Sequence, residues 1–302
     1  MSTTLIESAT AVAFGQIEGE LAQRATVGKD AAPARALTAT VVAVGPPDRL
    51  HEVVEPLHTL GRTGAIRAIL IPQGPSEASG AEVASNVVVL NGLQDSFIDN
   101  AVAALRLSSL PTVIWWRGGP VEILGNLIKL ADRVVLDADP PEPGWACAAE
   151  NLDRAAFSDM RWTRLTRWRA LMAQFFDLPE VQAAASDFTH LCIEASDRPA
   201  ASLFAAWMQR ELRWDDRVTI EIQESKRHEA ITRVSLTGTI DLHLRLAKNA
   251  KCVESAATAG QSATSRVVTL GDESVTALLA EELRIRSRDH AFERALTKVV
   301  ES

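Results

Sequence analysis

The stretch on which the fold turns is Thr38-Ala39-Thr40-Val41-Val42-Ala43-Val44-Gly45-Pro46-Pro47-Asp48-Arg49-Leu50. From Thr38 to Val44 it carries no charge, as expected of a strand buried on both faces in a parallel sheet. From Asp48 the period changes. Leu50, Val53, Val54, Leu57 and Leu60 recur at helical spacing, which predicts a helix stopping at Gly61. The alternation continues with strands expected over Ile66 to Ile71, Asn86 to Leu90, Thr112 to Trp116 and Arg133 to Asp137. Helices are expected from Asp95, presenting Ile98, Val102 and Leu105, and from Val121 to Leu130. Strand and helix in turn make an α/β fold, a doubly wound, mostly parallel, Rossmann-like sheet.

Such a sheet invites a dinucleotide, whose pyrophosphate needs a Gly-x-Gly-x-x-Gly turn after the first strand. That loop here reads Val44-Gly45-Pro46-Pro47-Asp48, where two prolines remove amide donors and the aspartate repels phosphate. No Gly-rich cofactor loop is present, so no cofactor is expected. Outside this core, residues 1–36 read as an edge element, a short helix within Met1 to Arg24, and a linker over Val27 to Arg35. Pro140-Pro141-Glu142-Pro143-Gly144 reads as a loop, followed by a helix over Trp145 to Phe157. Residues 1–158 thus form an N-terminal α/β domain and residues 159–302 a smaller α+β domain. In the latter, helices are expected over Arg167 to Asp177, Ala200 to Leu212 and from Asp272 onward, with strands over Phe188 to Glu194, Arg217 to Ile222, Thr232 to Arg245 and Ser265 to Leu270. The alternation of Ile231, Val234, Leu236, Ile240, Leu242, Leu244 and Leu246 suits an antiparallel sheet with one wet face.

The chain has 302 residues and a formal charge of −8, which gives no global support to nucleic-acid or acidic-membrane binding. No apolar run approaches the roughly 18 residues of a membrane span, and Met1 to Thr10 lacks the pattern of a secretory signal, so a cytoplasmic setting is expected. Cys147, Cys192 and Cys252 are dispersed without a Cys-x-x-Cys pair, and free thiols are expected. Nor is there a P-loop, a Gly-x-Ser-x-Gly elbow or a His-Glu-x-x-His motif, and tyrosine is absent. His51 and His58 stand seven apart on one helix where zinc wants four and a third ligand. No catalytic residue and no metal site are therefore expected.

What stands out is tryptophan and arginine. Trp115 and Trp116, followed by Arg117, end the fourth expected strand at the edge where parallel sheets build their sites, and the two rings read as core or as a recognition surface. In Asp159-Met160-Arg161-Trp162-Thr163-Arg164-Leu165-Thr166-Arg167-Trp168-Arg169, four arginines against one aspartate give a local charge of +3. Trp168, Leu171, Met172, Phe175 and Phe176 form the apolar stripe of the helix that follows, with Thr166 as its N-cap. The arginines before it are either a solvated basic loop or a grip for carboxylates or phosphates.

These segments together resemble the glucose-6-phosphate dehydrogenase assembly protein family, OpcA. The likeness rests on Leu110-Pro111-Thr112-Val113-Ile114-Trp115-Trp116, on Ala131-Asp132-Arg133-Val134-Val135-Leu136-Asp137, and above all on Trp162-Thr163-Arg164-Leu165-Thr166-Arg167-Trp168-Arg169. It continues more weakly through Phe204 to Met208 and Leu212 to Trp214. Arg167 stands where the family pattern commonly has proline. The resemblance implies a non-catalytic partner of glucose-6-phosphate dehydrogenase that assists its oligomerisation or activity in the oxidative pentose phosphate route. Candidate partner-binding residues are Trp115, Trp116, Arg117, Arg161, Trp162, Thr163, Arg164, Thr166, Trp168 and Arg169. The competing reading is a sugar-phosphate or nucleotide enzyme or sensor that holds its ligand with Arg161, Arg164 and Arg169 in a cleft between domains.

Overall fold

Seven consecutive buried residues, Ala39–Gly45, form a strand at the centre of an eight-stranded sheet in the computed structural model. The structure describes residues 10–27, 37–64, 66–74, 80–84, 86–214, 217–260, 262–285 and 287–302. In chain order the first elements are β1 (Thr10–Val12), α1 (Ile17–Val27), β2 (Ala39–Gly45), α2 (Pro47–Gly64), β3 (Ile66–Pro72), β4 (Gly80–Ala84) and β5 (Val87–Asn91). There follow α3 (Ile98–Leu105), β6 (Thr112–Trp116), α4 (Val121–Ile128), β7 (Arg133–Leu136), α5 (Glu142–Ala149) and β8 (Ala156–Asp159). The strand order is β1-β4-β5-β3-β2-β6-β7-β8, and from β5 across to β8 the neighbours pair in parallel. The direction of winding reverses between β2 and β6, which makes that crevice the topological switch point. The antiparallel pair β4 and β1 extends one edge, so the expected edge element exists at Thr10–Val12. Residues 1–9 and 28–36, which include most of the expected linker, lie outside the described residues.

Several expectations for this unit need correction. The helix that begins after Pro46 does not stop at Gly61 but runs to Gly64. Gly61 is there for close approach, since a Cβ on it would collide with the side-chain amide of Asn86, which donates to the carbonyl of Ile66. The proline cluster does not end as a loop. Pro141 is the N-cap of α5 and Pro143 lies in its first turn, where the missing N–H costs nothing. That helix ends at Ala149. Residues 150–155, expected to continue it, turn instead, and Ala156 and Phe157 begin β8, which pairs with β7.

Next come α6 (Met160–Arg164), α7 (Thr166–Phe175), α8 (Pro179–Ala183), β9 (His190–Ala195), α9 (Arg198–Glu211) and β10 (Thr219–Glu224). The chain then forms β11 (Ile231–Thr237), β12 (Asp241–Leu246), β13 (Cys252–Ala259), β14 (Ser262–Thr269), α10 (Val275–Arg284) and α11 (His290–Val300). Two units result, residues 1–160 with 274–289 and residues 161–273 with 290–302. In the first, α10 packs on α2, placing Leu278 and Leu279 beside Leu50, Val53 and Leu57. In the second, a six-stranded sheet of order β10-β9-β11-β12-β13-β14 buries alternate residues, among them Leu191, Ile193, Val234, Leu236, Leu242, Leu244 and Val253. Helix α7 packs on β12 and β13, and α9 on β9 and β10. The sheet is antiparallel except where β9 and β10 run parallel. That exception follows from α9, a crossover that returns the chain to the same end of the sheet. Among the described residues no helix is long and apolar enough to cross a membrane.

Candidate functional site

At the switch point of the first unit, the loop after β2 runs directly into α2 through Pro46 and Pro47. Neither proline offers an amide, so two of the donors that a dinucleotide-binding turn aims at a phosphate are missing from this helix start. Arg117 closes the crevice from the other side. A Cβ on Gly45 would lie 2.8 Å from the Cβ of Arg117, so only glycine tolerates this approach. The guanidinium is held by Glu52 at 2.8 Å and Asp137 at 2.9 Å, and it donates to the carbonyl of Arg49. It also lies 5.5 Å from the centroid of Trp115. Gly118 and Gly119 then turn the chain away with φ of 130° and 123°, which a side chain would strain. Outside this plug a recess remains, lined by Arg49, Gln73, Asp95 and Asp139 together with Pro46 and Gly119.

Both tryptophans of β6 are buried, one on each face. Trp115 packs with Leu50 and Val53 of α2, and its Nε1 donates to Asp137 at 3.3 Å. Trp116 lies on the opposite face, against Gly119 and Gly144. They are core, and the recognition alternative has no exposed ring here.

In the second unit the arginine-rich segment is not a loop. It forms α6 and the start of α7, and most of it is tied inward. Arg169 sits with Cζ 3.6 Å from the centroid of Trp162 and donates to the Trp162 carbonyl and to Thr166 Oγ1. Trp162 in turn packs on Phe292 of α11, with centroids 5.7 Å apart. Nε of Arg161 donates to Asp197 at 3.1 Å, and Asp197 also caps α9 by accepting from the amide of Ala200. Thr166 is not the N-cap of α7. Leu165 holds that position, and the Thr166 hydroxyl donates backward to the carbonyl of Thr163 at 2.7 Å. Trp162, Thr163 and Trp168 are buried, Arg164 is half-buried and Arg167 is exposed. The structure therefore ties Trp162, Thr163, Thr166 and Arg169 to one another, and ties Arg161 separately to Asp197 at the start of α9. Arg164 and Arg167 remain at the accessible edge of the segment.

The three cysteines are free and partly buried. Burial, and then Glu150 and Glu122, push the Cys147 thiol up. Burial and Glu221 do the same for Cys192, against the opposing pull of Arg233. The outward face of the second sheet holds a group that no local motif signals: His190, Cys192 and Glu221. Their only trace in the sequence is the alternation His190-x-Cys192-x-Glu194 along one strand. Glu221 is supplied by a strand 29 residues further on, through parallel pairing.

Comparison with known proteins gives two kinds of likeness. The family model that describes the C-terminal domain of the glucose-6-phosphate dehydrogenase subunit OpcA matches residues 155–296. The OxPP cycle protein OpcA of Synechocystis sp. is 28% identical over 138 residues, covering 42% of this chain and 29% of that protein. Its namesake in Nostoc punctiforme is 25% identical over 169 residues, covering 52% and 36%. The match thus spans about a third of the length of these curated relatives. Among solved structures, KijD10, a 3-ketoreductase from Actinomadura kijaniata in complex with NADP, superposes with a TM-score of 0.51 at 6% identity, covering 88% of this chain and 95% of the reductase. At such identity the likeness concerns the fold alone.

Proposed function

We propose that this chain, whose residues 155–296 match the OpcA family model, is a non-catalytic partner which binds glucose-6-phosphate dehydrogenase and promotes its active oligomeric state in the oxidative pentose phosphate route. The observation that carries the non-catalytic part is the plugged switch point. A sheet wound like that of a reductase has Pro46 and Pro47 where amides would meet a pyrophosphate, and Arg117 is committed to Glu52 and Asp137 across the crevice. The partner is inferred from the family. Such a partner acts by differential affinity: it shifts the enzyme toward the state it binds better, by no more than that difference.

The sensor reading is the weaker one, because two of its three arginines are occupied within their own unit. Arg161 is paired with Asp197, and Arg169 is stacked on Trp162. We assign the contact to the accessible side chains of the block, Arg164 and Arg167. The deciding experiment mixes the purified chain with the dehydrogenase and follows size-exclusion elution and NADP reduction. Co-elution and a raised rate, with no turnover by the chain alone, are expected. Calorimetric binding of glucose 6-phosphate or NADP to the isolated chain, without co-elution, would overturn the proposal in favour of the sensor.

A further inference from the structure

We propose that His190, Cys192 and Glu221 bind a divalent transition metal ion of zinc-like character on the outward face of the second unit's sheet. The backbone brings the three together. His190 and Cys192 stand two apart on β9 and so point to the same face. The parallel register sets Glu221 of β10 directly opposite Cys192. β9 is hydrogen-bonded on both sides, by β10 and β11, so two of the three donors stand on an interior strand that does not fray.

The distances fit a metal. The ligand atoms of all three residues lie within 4.8 Å of one another, and Nε2 of His190 is 3.5 Å from a carboxylate oxygen of Glu221. A tetrahedral ion bonded at about 2.0 Å to nitrogen and oxygen and about 2.3 Å to sulfur spaces its ligands about 3.3–3.6 Å apart. One edge of that tetrahedron is therefore already present. The others need closure of about 1 Å, which a side-chain torsion supplies. A cross-strand ion pair between His190 and Glu221 would account for nitrogen and oxygen alone. The sulfur converging on the same point is what distinguishes a ligand set from a pair.

The donor set also selects the ion. Imidazole nitrogen, thiolate and one carboxylate suit zinc or cobalt(II) and are poor for magnesium or calcium, which want oxygen throughout. Glu194, next along the same face of β9, adds negative charge, which Arg233 opposite it offsets. His190 and Glu221 keep 37% and 49% of their side-chain exposure, so an ion reaches them from solvent. Three protein donors leave a fourth position for water or for a donor from another molecule.

The test uses the tag-free full chain, reduced and stripped with chelator, then titrated with cobalt(II) and afterwards with zinc. One cobalt per chain is expected, with a thiolate-to-cobalt charge-transfer band in the near ultraviolet that zinc abolishes. Cys192→Ser should lose the band, Glu221→Gln should weaken binding about tenfold or more, and Cys147→Ser should behave as the wild type. Absence of the band from chain whose circular dichroism is intact would overturn the site, as would a band that survives in Cys192→Ser. If Cys192→Ser does not fold, the partly exposed positions decide. Unchanged affinity in both Glu221→Gln and His190→Gln would overturn the proposal equally.

Discussion

Arg169 and Arg164 stand five residues apart in one basic segment, yet their surroundings give them opposite roles. Arg169 lies 3.6 Å over the ring of Trp162 and donates to two oxygens beside it. A partly desolvated cation over tryptophan contributes about 1–2 kcal/mol. Arg169→Ala should therefore lower the urea midpoint by that equivalent. Arg164→Ala and Arg167→Ala, at the accessible edge, should leave the midpoint within about 0.5 kcal/mol while weakening association with the dehydrogenase. If both of these melt early, they too are internal ties and the contact lies elsewhere. Cys147 offers a second check. With its thiol pushed up by burial and by Glu150 and Glu122, it carries less thiolate at neutral pH than a free cysteine, and its alkylation by iodoacetamide should be slower than that of an unstructured peptide. Faster alkylation would mean that its surroundings are not as described. The sequence shows which residue types concentrate here, but not which way each guanidinium turns. That depends on Asp197 and Phe292, which no spacing rule links to the block.

Elements are legible where a single physical cause dominates. β2, β3, β5 and β6 are predominantly apolar, Arg67 of β3 being the one charged residue, because both faces are covered, and each lies within a residue or so of its expected bounds. β13 escapes a reading of the sequence because Cys-Val-Glu-Ser-Ala-Ala-Thr-Ala has little intrinsic strand preference, and pairing with β12 and β14 holds it instead. The first half of β8, Ala156 and Phe157, reads as the end of a helix for the same reason, since pairing with β7 holds it as a strand. The stripe of α7 matches its spacing except at the outer end, where Phe176 is half-buried rather than core. Phe175 is 6% exposed, and Phe175→Ala should cost about 3–5 kcal/mol, measured by chemical denaturation, with or without the dehydrogenase. At the start of α9 two functions meet in one carboxylate. Asp197 accepts from the amide of Ala200 and pairs with Arg161. Asp197→Asn keeps the cap and loses the charge, whereas Asp197→Ala loses both. The alanine variant should be the less stable of the two by about 1 kcal/mol. Equal midpoints would mean that the cap contributes nothing.

At the scale of the whole molecule, the chain does not finish one unit before beginning the next. Residues 274–289 follow the second sheet in sequence but belong to the first unit. Nothing in their composition announces this, and the sequence alone assigns them to the C-terminal domain. What holds them is specific. Leu278 and Leu279 of α10 are buried against α2, and Glu282 accepts from Nε and Nη2 of Arg133, at 3.0 Å and 2.8 Å, and from the hydroxyl of Ser158. Removing the segment exposes two leucine sites, each worth about 1.5–3 kcal/mol, and leaves Arg133 without its buried partner at about 3–5 kcal/mol. Those losses together are comparable to the entire stability of a typical domain, about 5–15 kcal/mol. A fragment of residues 1–160 should therefore fail to hold the first unit's fold. The same fragment carrying 274–289 on a flexible linker should recover it. Within the rejoined fragment, Glu282→Ala should cost about 3–5 kcal/mol, roughly half of what leaving the segment out costs, since it leaves Arg133 buried and unpaired. Thermal melts followed by circular dichroism would settle this. A cooperative transition for 1–160 alone, at the midpoint of the rejoined fragment, would show that the first sheet closes its core without α10.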